Sequence, residues 1–477
     1  MAVKIVVVGA GPGGYVAAIR AAQMGAEVTI VEGDRVGGTC LNRGCIPSKI
    51  MKTTAEMMDH FHRASEFAIE TNGKFLIDMQ ALMARKEKVI QSQAKGILGL
   101  FKHHKIHYLQ GCGTIAGPHK MIVKQQEGNA IQVSWDRLIL AMGSQPSSIP
   151  AFPFDGQRII SSNDALDLQV IPKSMLIIGG GVIGCEFAFI FSSLGSKVTV
   201  VEALSRVLPL PSVDEDCSKI LQREMKKRNI QVMVNRGVAK FDDKEAGVRV
   251  SIGPSPFLSE KDQAGIKSST IEVDGVLVCI GRQPNTANSG IEKLGVKTDD
   301  KGWIIANEMM ETGVPGVYAI GDVLGPSKIM LAHVASTEGW VAAQNAMGAR
   351  RIMNYDIVPG AIYTMPEVAN VGLTEAQAKS QGYNMRSDSA LFRNLGKAHV
   401  IGEISGQAKI VSDTASGKIL GVHIIGPHAT DLIAEATLAM QMGCTVKDLS
   451  ETIHAHPTLT EIMAETSFKA IDSALHG

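Results

Sequence analysis

The strongest constraint on the fold is a duplication. The segment KIVVVGAGPGGYVAAIRAAQMGAEVTIVEG, residues 4–33, is matched in register by SMLIIGGGVIGCEFAFIFSSLGSKVTVVEA, residues 174–203. Each copy reads as a short apolar strand, a Gly-x-Gly-x-x-Gly turn, a helical stretch and a β-branched strand ending in Glu. Glu32 follows Gly9 by 23 residues, and Glu202 follows Gly179 by 23. One such turn is weak evidence, because glycine-rich turns also form for structural reasons alone. Two of them, with an acid at the same distance, predict two dinucleotide-binding units. Gly9 and Gly179 make the tight turn, Gly11 and Gly181 admit a pyrophosphate, and Gly14 and Gly184 let the helix close on the strand. The helix N-terminus supplies N–H donors and a positive dipole end. Glu32 and Glu202 then accept from a ribose hydroxyl. Two dinucleotides on one chain point to a flavin that exchanges electrons with a nicotinamide. The Glu202 carboxylate would repel a 2′-phosphate, which favours NAD over NADP, although Arg206 nearby pulls the other way.

A chain of 477 residues exceeds one ordinary core and suggests roughly three or four domains. Lys plus Arg and Asp plus Glu both total 47, so no global field attracts nucleic acid or an acidic membrane. KHHK at 102–105 reads as a solvated patch. No run reaches the roughly 18 apolar residues that span a bilayer; MLIIGGGVIGCEFAFI comes nearest and is broken by Glu186 and its glycines. Seven cysteines are too few for a disulfide-stapled secreted scaffold. The chain opens directly on an apolar strand without a charged leader, so a reducing, cytoplasmic setting is expected.

Two of those cysteines, Cys40 and Cys45, stand in GGTCLNRGCIPSK at 37–49. Their spacing does not fit the usual zinc pattern, and no second pair completes a tetrahedron. In an ideal helix, positions five apart are separated by about 7.5 Å along the axis. Bridged cysteines keep their Cα atoms within about 6.8 Å. A bridge therefore needs a distorted helical turn, for which Gly44 and Pro47 are the available agents. Strained, accessible disulfides tend to be the reducible ones. Lys49, Arg43 and a helix N-terminus would favour thiolate, so the pair reads as redox-active. Cysteines 112, 185, 217, 279 and 444 lack a matched partner and read as inert.

GGTCLNRGCIPSK closely resembles the redox motif of the pyridine nucleotide–disulfide oxidoreductases. The resemblance runs essentially end to end, through both glycine turns, GVYAIGDV with Asp322, and HAHPTLTE at 454–461. It implies an α/β fold with two Rossmann-like dinucleotide-binding domains, for FAD and NAD, plus a C-terminal α+β dimerisation domain. The corresponding boundaries are 1–149 (FAD-binding), 150–277 (NAD-binding), 278–347 (a segment returning to the FAD domain) and 348–477 (interface). IEVDGVLVCIGRQPN and GVYAIGDV read as strands returning to the first domain, and PSPFLSEKDQAG at 254–265 as a surface hairpin loop. Residues 37–105 read as helices, with the cysteine pair at the first helix start and a polar stretch around Thr71 to Lys74. From about Arg351, apolar strands and two helices imply the final α+β domain.

Within the family, CLNRGCIPSK is similar to the lipoamide-oxidising branch; the glutathione branch usually has Pro-Lys-Lys where this chain has Pro-Ser-Lys. LAHVASTEG at 331–339 and PGAIYTMPEVANVGLTE at 359–375 are similar to the same branch. A mercuric reductase would end in a vicinal cysteine pair, whereas nothing after Cys444 is a cysteine here. Two departures stand out: AMGS in place of the common Ala-Thr-Gly-Ser, with Met142 at the Thr position, and Arg43 in place of a frequent Val.

The resemblance also implies roles. His456 would deprotonate a dithiol, and Glu461 would orient its ring and stabilise its cationic form, as the acid of a triad does. Imidazole suits that proton step because its ordinary pKa lies near working pH. Cys40 would face substrate and Cys45 the flavin. Lys49 and Glu186 would form an ion pair near the flavin, although a carboxylate early in a helix also has a purely stabilising use. Gly143 and Asp322 join the FAD set, with Asp322 on the ribityl chain, and Gly281 joins the NAD set. His454 reads as structural. The implied partners are a second copy, as a homodimer sending each His-Pro into the other's site, and a lipoyl-bearing protein of a 2-oxo acid dehydrogenase complex or glycine cleavage system. No metal is expected. The rivals are an NADPH-dependent reductase of a small disulfide and a non-catalytic scaffold retaining the fold.

Overall fold

The computed structural model describes residues 2–70, 72–73, 75–125, 128–149, 152–244 and 247–476. Thr71 and Lys74, which bound the expected polar stretch, lie outside the described residues. The chain divides into two compact units. The first holds residues 1–50, 78–147 and 281–355; the second holds 51–77, 148–280 and 356–477.

In the first unit the strand Lys4–Val8 sits at the centre of a five-stranded parallel sheet. The order is Val317–Ala319, Arg137–Leu140, Lys4–Val8, Glu27–Glu32, His107–Gln110. Ile5, Val6 and Val7 are buried, as are Leu138, Ile139 and Leu140. That explains their unbroken apolar runs, since a parallel strand covered on both faces has no polar side. The glycine-turn helix Pro12–Gln23 packs on the helix Ala332–Ala346. Their approach is close enough that a Cβ on Gly339 would lie 2.3 Å from the Gly13 carbonyl oxygen. The helix Met79–His103 ends in the KHHK patch, with Lys102, His103 and Lys105 exposed, where cations complement the helix C-terminus.

The second unit repeats the parallel arrangement, in the order Gln231–Met233, Lys197–Val201, Ser174–Ile178, Gly275–Val278, Ile159–Ile160. Its glycine-turn helix Val182–Ser193 is buried along nearly its whole length, Glu186 included. A second, antiparallel five-stranded sheet runs Gly360–Ile362, Glu367–Gly372, Ile419–Gly426, Gln407–Asp413, Met385–Leu391. The helices Ala429–Gln441 and Glu461–Ala470 cover it, with Ala436, Ile462 and Met463 in the shared core. This agrees with the α+β texture expected after Arg351, with shorter helical turns added.

Within this unit the helix Glu215–Lys227 is tied to the antiparallel sheet through Lys409. The Lys409 Nζ lies 2.8 Å from Asp214 Oδ1 and 3.5 Å from Glu375 Oε2, and it also bonds Asp216. The Lys409 and Asp214 side chains are only 8% and 5% exposed. Burial works against the Lys409 cation, but the hydrogen bonds to Asp214 and Asp216 outweigh it and raise its pKa. Burial likewise pushes Asp214 up, and the Lys409 bond reverses that and holds the carboxyl below its usual range.

Two local expectations need correction. IEVDGVLVCIGRQPN is not one strand returning to the first unit. Ser269–Val273 closes a three-stranded antiparallel sheet with Arg236–Lys244 and Gly247–Pro254, and Gly275–Val278 joins the second parallel sheet. Only its end, from Gly281 on, belongs to the first unit, where Arg282–Pro284 pairs antiparallel with Ser144–Pro146. Asp274 separates the two strands and accepts from the Ser174 N–H and hydroxyl. The 254–265 loop contains the short helix Glu260–Ala264, N-capped by Ser259. No helix among the described residues is long and apolar enough to cross a membrane.

Candidate active site

The two glycine turns are near copies. Gly9 and Gly179 both have φ +103, and a Cβ on either would lie 2.2 or 2.3 Å from a carbonyl oxygen, of Ala141 or Cys279. A Cβ on Gly14 or Gly184 would lie 1.8 or 1.9 Å from the carbonyl oxygen of Gly9 or Gly179. At Gly11 and Gly181 the space is open instead: the nearest atom to a Cβ at Gly11 is 3.8 Å away, and nothing lies within 4 Å at Gly181. These two glycines are the N-caps of their helices, and neither helix has a side-chain cap. Uncapped first-turn N–H groups beside an open cradle fit the pyrophosphates of FAD and NAD.

The acids that end the paired strands share one geometry. Glu32 Oε2 accepts from Ala10 N at 2.6 Å and Oε1 from Asp34 N at 2.8 Å. Glu202 Oε2 accepts from Gly180 N at 2.6 Å and Oε1 from Leu204 N at 2.7 Å. Burial raises the Glu32 pKa, with the Ala10 and Asp34 N–H groups opposing it. Arg206 is occupied elsewhere: its Nη2 donates to the carbonyls of Leu210 and Val213 at 3.0 Å, and its Nη1 bonds the Ser218 hydroxyl.

Cys40 and Cys45 lie on two helices rather than one. The helix Gly38–Arg43 stops at Gly44, and Cys45 opens the helix Cys45–His62. A Cβ on Gly44 would sit 3.0 Å from the Thr39 carbonyl oxygen, so glycine is what fits this junction. Pro47 falls in the first turn of the second helix, where its missing N–H costs nothing. The break brings the two thiols within hydrogen-bonding reach of each other. The Cys45 sulfur, then burial, push the Cys40 thiol far above its usual range, and the Lys49 charge opposes them. Cys45 is exposed and Cys40 half-buried. Arg43 does not sit as a free cation between them; its guanidinium pairs with Asp34 at 2.5 Å.

Asp322, at the start of the turn Gly321–Ser327, is held by residues that sequence reasoning missed. The Ser144 hydroxyl donates to Asp322 Oδ2 at 2.7 Å, and Arg282 Nε donates to that hydroxyl at 2.6 Å. Arg282 Nη2 also donates to the Ser144 carbonyl at 2.8 Å. The preceding Gly321 N–H is gripped by the buried Glu338, which also accepts from the Tyr355 hydroxyl, both at 2.6 Å. Arg282 directly follows Gly281 in GRQPN, the only hint the sequence held. Gly143, at φ +69, sits in the same crossover, its carbonyl accepting from Asn285 N. The neighbouring Met142 carbonyl accepts from the Asn285 side chain. Gly281 lies in the first unit, whereas Gly179, Gly181, Gly184 and Glu202 lie in the second.

In the second unit, Glu186 Oε1 accepts from Tyr363 N at 2.9 Å. His456 is exposed, and its Nδ1 lies 2.9 Å from Glu461 Oε1. Thr458 N donates to the other Glu461 oxygen at 2.9 Å. Burial pushes the Glu461 carboxyl up, but the His456 and Thr458 hydrogen bonds win and lower it. A carboxylate on Nδ1 makes that nitrogen the donor and leaves Nε2 as the basic atom. Burial pushes the Cys217 and Cys279 thiols up to about 12, and Cys185 up as well, which agrees with inert roles. Among the described residues no cluster could hold a metal ion.

Relatives match this chain over nearly its whole length. Residues 3–339 match the family "Pyridine nucleotide-disulphide oxidoreductase", and residues 358–467 match its dimerisation domain. A dihydrolipoyl dehydrogenase of Chlamydia muridarum is 43% identical over 473 residues, covering 99% of this chain and 97% of that one. One from Thermus scotoductus is 40% identical over 473 residues, covering 99% and 98%. The crystal structure of LpdA from Mycobacterium tuberculosis superposes with a TM-score of 0.89 at 26% identity, covering 98% and 99%. Two backbone-locked glutamates at the ends of paired strands, a thiol pair across a helix break and a His–Glu pair thus sit in a chain that belongs to the pyridine nucleotide–disulphide oxidoreductases.

Proposed function

We propose that this FAD-containing enzyme oxidises protein-bound dihydrolipoyl groups to the cyclic disulfide, with NAD as final acceptor. The observation that carries the reading is the thiol pair Cys40–Cys45, set across the Gly44 break in the unit that carries the first glycine turn. The 43% and 40% identical dihydrolipoyl dehydrogenases suggest the substrate class.

In the oxidised enzyme Cys40 and Cys45 form a disulfide. His456 Nε2 takes a proton from one substrate thiol, and Glu461 stabilises the resulting imidazolium. The substrate thiolate attacks Cys40 Sγ, the S–S bond breaks, and Cys45 leaves as a thiolate. The second substrate thiol then attacks the substrate sulfur of the mixed disulfide; the bond to Cys40 breaks and Cys40 takes up that thiol's proton, releasing lipoamide and leaving both electrons on the cysteine pair. When bound, FAD supplies the two-electron acceptor that empties the pair, and NAD carries the electrons away as hydride. Gly9, Gly11, Gly14, Glu32, Gly143 and Asp322 are proposed to hold FAD, and Gly179, Gly181, Gly184, Glu202 and Gly281 to hold NAD. Lys49 and Glu186 are proposed as the charged residues serving the flavin.

The dimerisation-domain match supports a homodimer, and His456 is proposed to serve the partner's cysteine pair. A cytoplasmic location and a lipoyl domain carried on another chain complete the proposal. The test compares dihydrolipoamide with NAD against glutathione disulfide with NADPH. Turnover in the first pair only supports the reading, and turnover in the second pair only sinks it. Anaerobic dithiol titration should also raise a long-wavelength thiolate-to-flavin band; a flat spectrum would favour a scaffold.

A further inference from the structure

The loop between the helices Val446–Glu451 and Glu461–Ala470 carries His456, and across residues 452–457 one side chain, that of His454, turns inward. Thr452, Ile453, Ala455, His456 and Pro457 are all exposed, whereas the His454 side chain is only 6% exposed. Its ring bridges two acceptors. Nδ1 lies 2.9 Å from the Thr452 carbonyl oxygen, and Nε2 lies 2.8 Å from Glu435 Oε1 on the helix Ala429–Gln441. A carbonyl and a carboxylate only accept, and a neutral imidazole has one N–H to give. Both contacts are hydrogen bonds only when both nitrogens carry protons. Moving one proton onto Glu435 keeps the count, but the Glu435 side chain is 30% exposed. Water therefore stabilises its charged form, and the charge-assisted bond is the stronger one.

We propose that His454 is held as an imidazolium and acts as a positioning residue for the His456–Glu461 pair. It pins the loop to the Ala429–Gln441 helix and places a fixed positive charge beside Glu461. This rests on the proposed role of His456 as the base. The Glu435 hydrogen bond, with the Glu435 and Glu461 charges behind it, raises the His454 pKa against burial. In turn the His454 charge is among the influences that lower Glu461. The groups facing His454 are Glu435 from one helix, Glu461 from the next, and His456 two residues along the loop. A second positive charge on His456 is resisted by His454 and favoured by Glu461. The two neighbours thus act in opposite directions on charge at the His456 ring.

The experiment is a histidine-selective NMR titration of the full-length holoenzyme, assigned by single variants. At pH 7.5 a free imidazole is mostly neutral, yet His454 should show two protonated nitrogens. In His454→Gln the His456 midpoint should rise by about half a pH unit, the order expected for loss of one like charge in the same loop. The acid limb of kcat/KM for dihydrolipoamide should move up with it. Glu435→Gln, which keeps the imidazole but removes its anionic acceptor, should move His456 the same way. A singly protonated His454 at pH 7.5 overturns the proposal. So does an unmoved His456 midpoint in either folded variant. The NMR arms need no turnover, so absence of dithiol activity would sink the functional reading while leaving the charge state decided.

Discussion

The two nucleotide-binding units share a turn and differ in what holds the turn in place. In the first, the glycine-turn helix Pro12–Gln23 is locked by neutral close approach, with Gly13 and Gly339 backbone against backbone. In the second, the loop after Glu202 is braced by Arg206, and the helix that follows is tied down by the buried Lys409 cluster. Identical backbone needs thus produced identical glycines and glutamates, while the supporting shells diverged. The pattern that recognises a dinucleotide is local, and the stability behind it is bought separately in each unit.

The largest break in this comparison should come from Lys409→Ala. It leaves Asp214 buried without its cation, for which about 3–5 kcal/mol is expected. Urea unfolding of the holoenzyme should show NAD affinity lost before FAD is released. The pH dependence checks the sign. Asp214 has a lowered folded pKa, so its stabilisation is present at neutral pH and fades as pH falls below about 4, the unfolded carboxyl range. The variant should lose less stability on acidification than the parent; an equal or steeper loss would refute the cluster's role.

Gly14→Ala and Gly184→Ala probe the shared feature directly, because each forces a Cβ onto a carbonyl oxygen. An overpacking cost of about 1–3 kcal/mol is expected for each. Gly14→Ala should be purified short of flavin, and Gly184→Ala with full flavin but weakened NAD binding. Flavin absorbance per protomer and NAD titration separate the two, and loss of the same ligand in both would erase the assignment. A smaller effect is expected from Glu202→Gln, which keeps one backbone acceptor and loses the other. That should weaken NAD by roughly tenfold, about 1.4 kcal/mol. It should not admit NADP, because Arg206 is spent on Leu210, Val213 and Ser218. NADP turnover matching NAD turnover would contradict this. The smallest effect belongs to Arg43→Ala: its pair with Asp34 is half-exposed, so thermal unfolding should register less than about 1 kcal/mol.

What was legible in the sequence follows from the same contrast. Gly9, Gly14, Gly179 and Gly184 announce themselves because a positive φ or a carbonyl less than 2.5 Å from any Cβ admits no other residue. Glu32 and Glu202 were legible because strand and helix lengths fix their distance from the turn. Gly44 was readable as a distortion, since two cysteines five apart cannot meet across regular helix. The Ser259–Asp262 cap of the short helix at 260–264 was also written in the chain and went unread. The split of IEVDGVLVCIGRQPN was not readable, because an apolar run looks alike whether it enters a parallel or an antiparallel sheet. Nor was the Arg282–Ser144–Asp322 chain, whose members are joined only by the crossover of Ser144–Pro146 on Arg282–Pro284. Arg43 misled for a related reason: its sequence neighbours are the cysteines, but its nearest anion is Asp34.

The interruption at Gly44 makes the redox pair a joint between two rigid levers. Cys40 is carried on the short lever Gly38–Arg43 and Cys45 on the tip of the long one, Cys45–His62. As the sulfurs pass between bond and contact, their relative movement can be taken up as torsion at one residue. The amide ladder of the long helix need not be disturbed. Were both cysteines on one continuous helix, every turnover would have to bend that ladder and rebuild it. A break placed between the two reacting atoms lets the enzyme cycle without unfolding a turn each time.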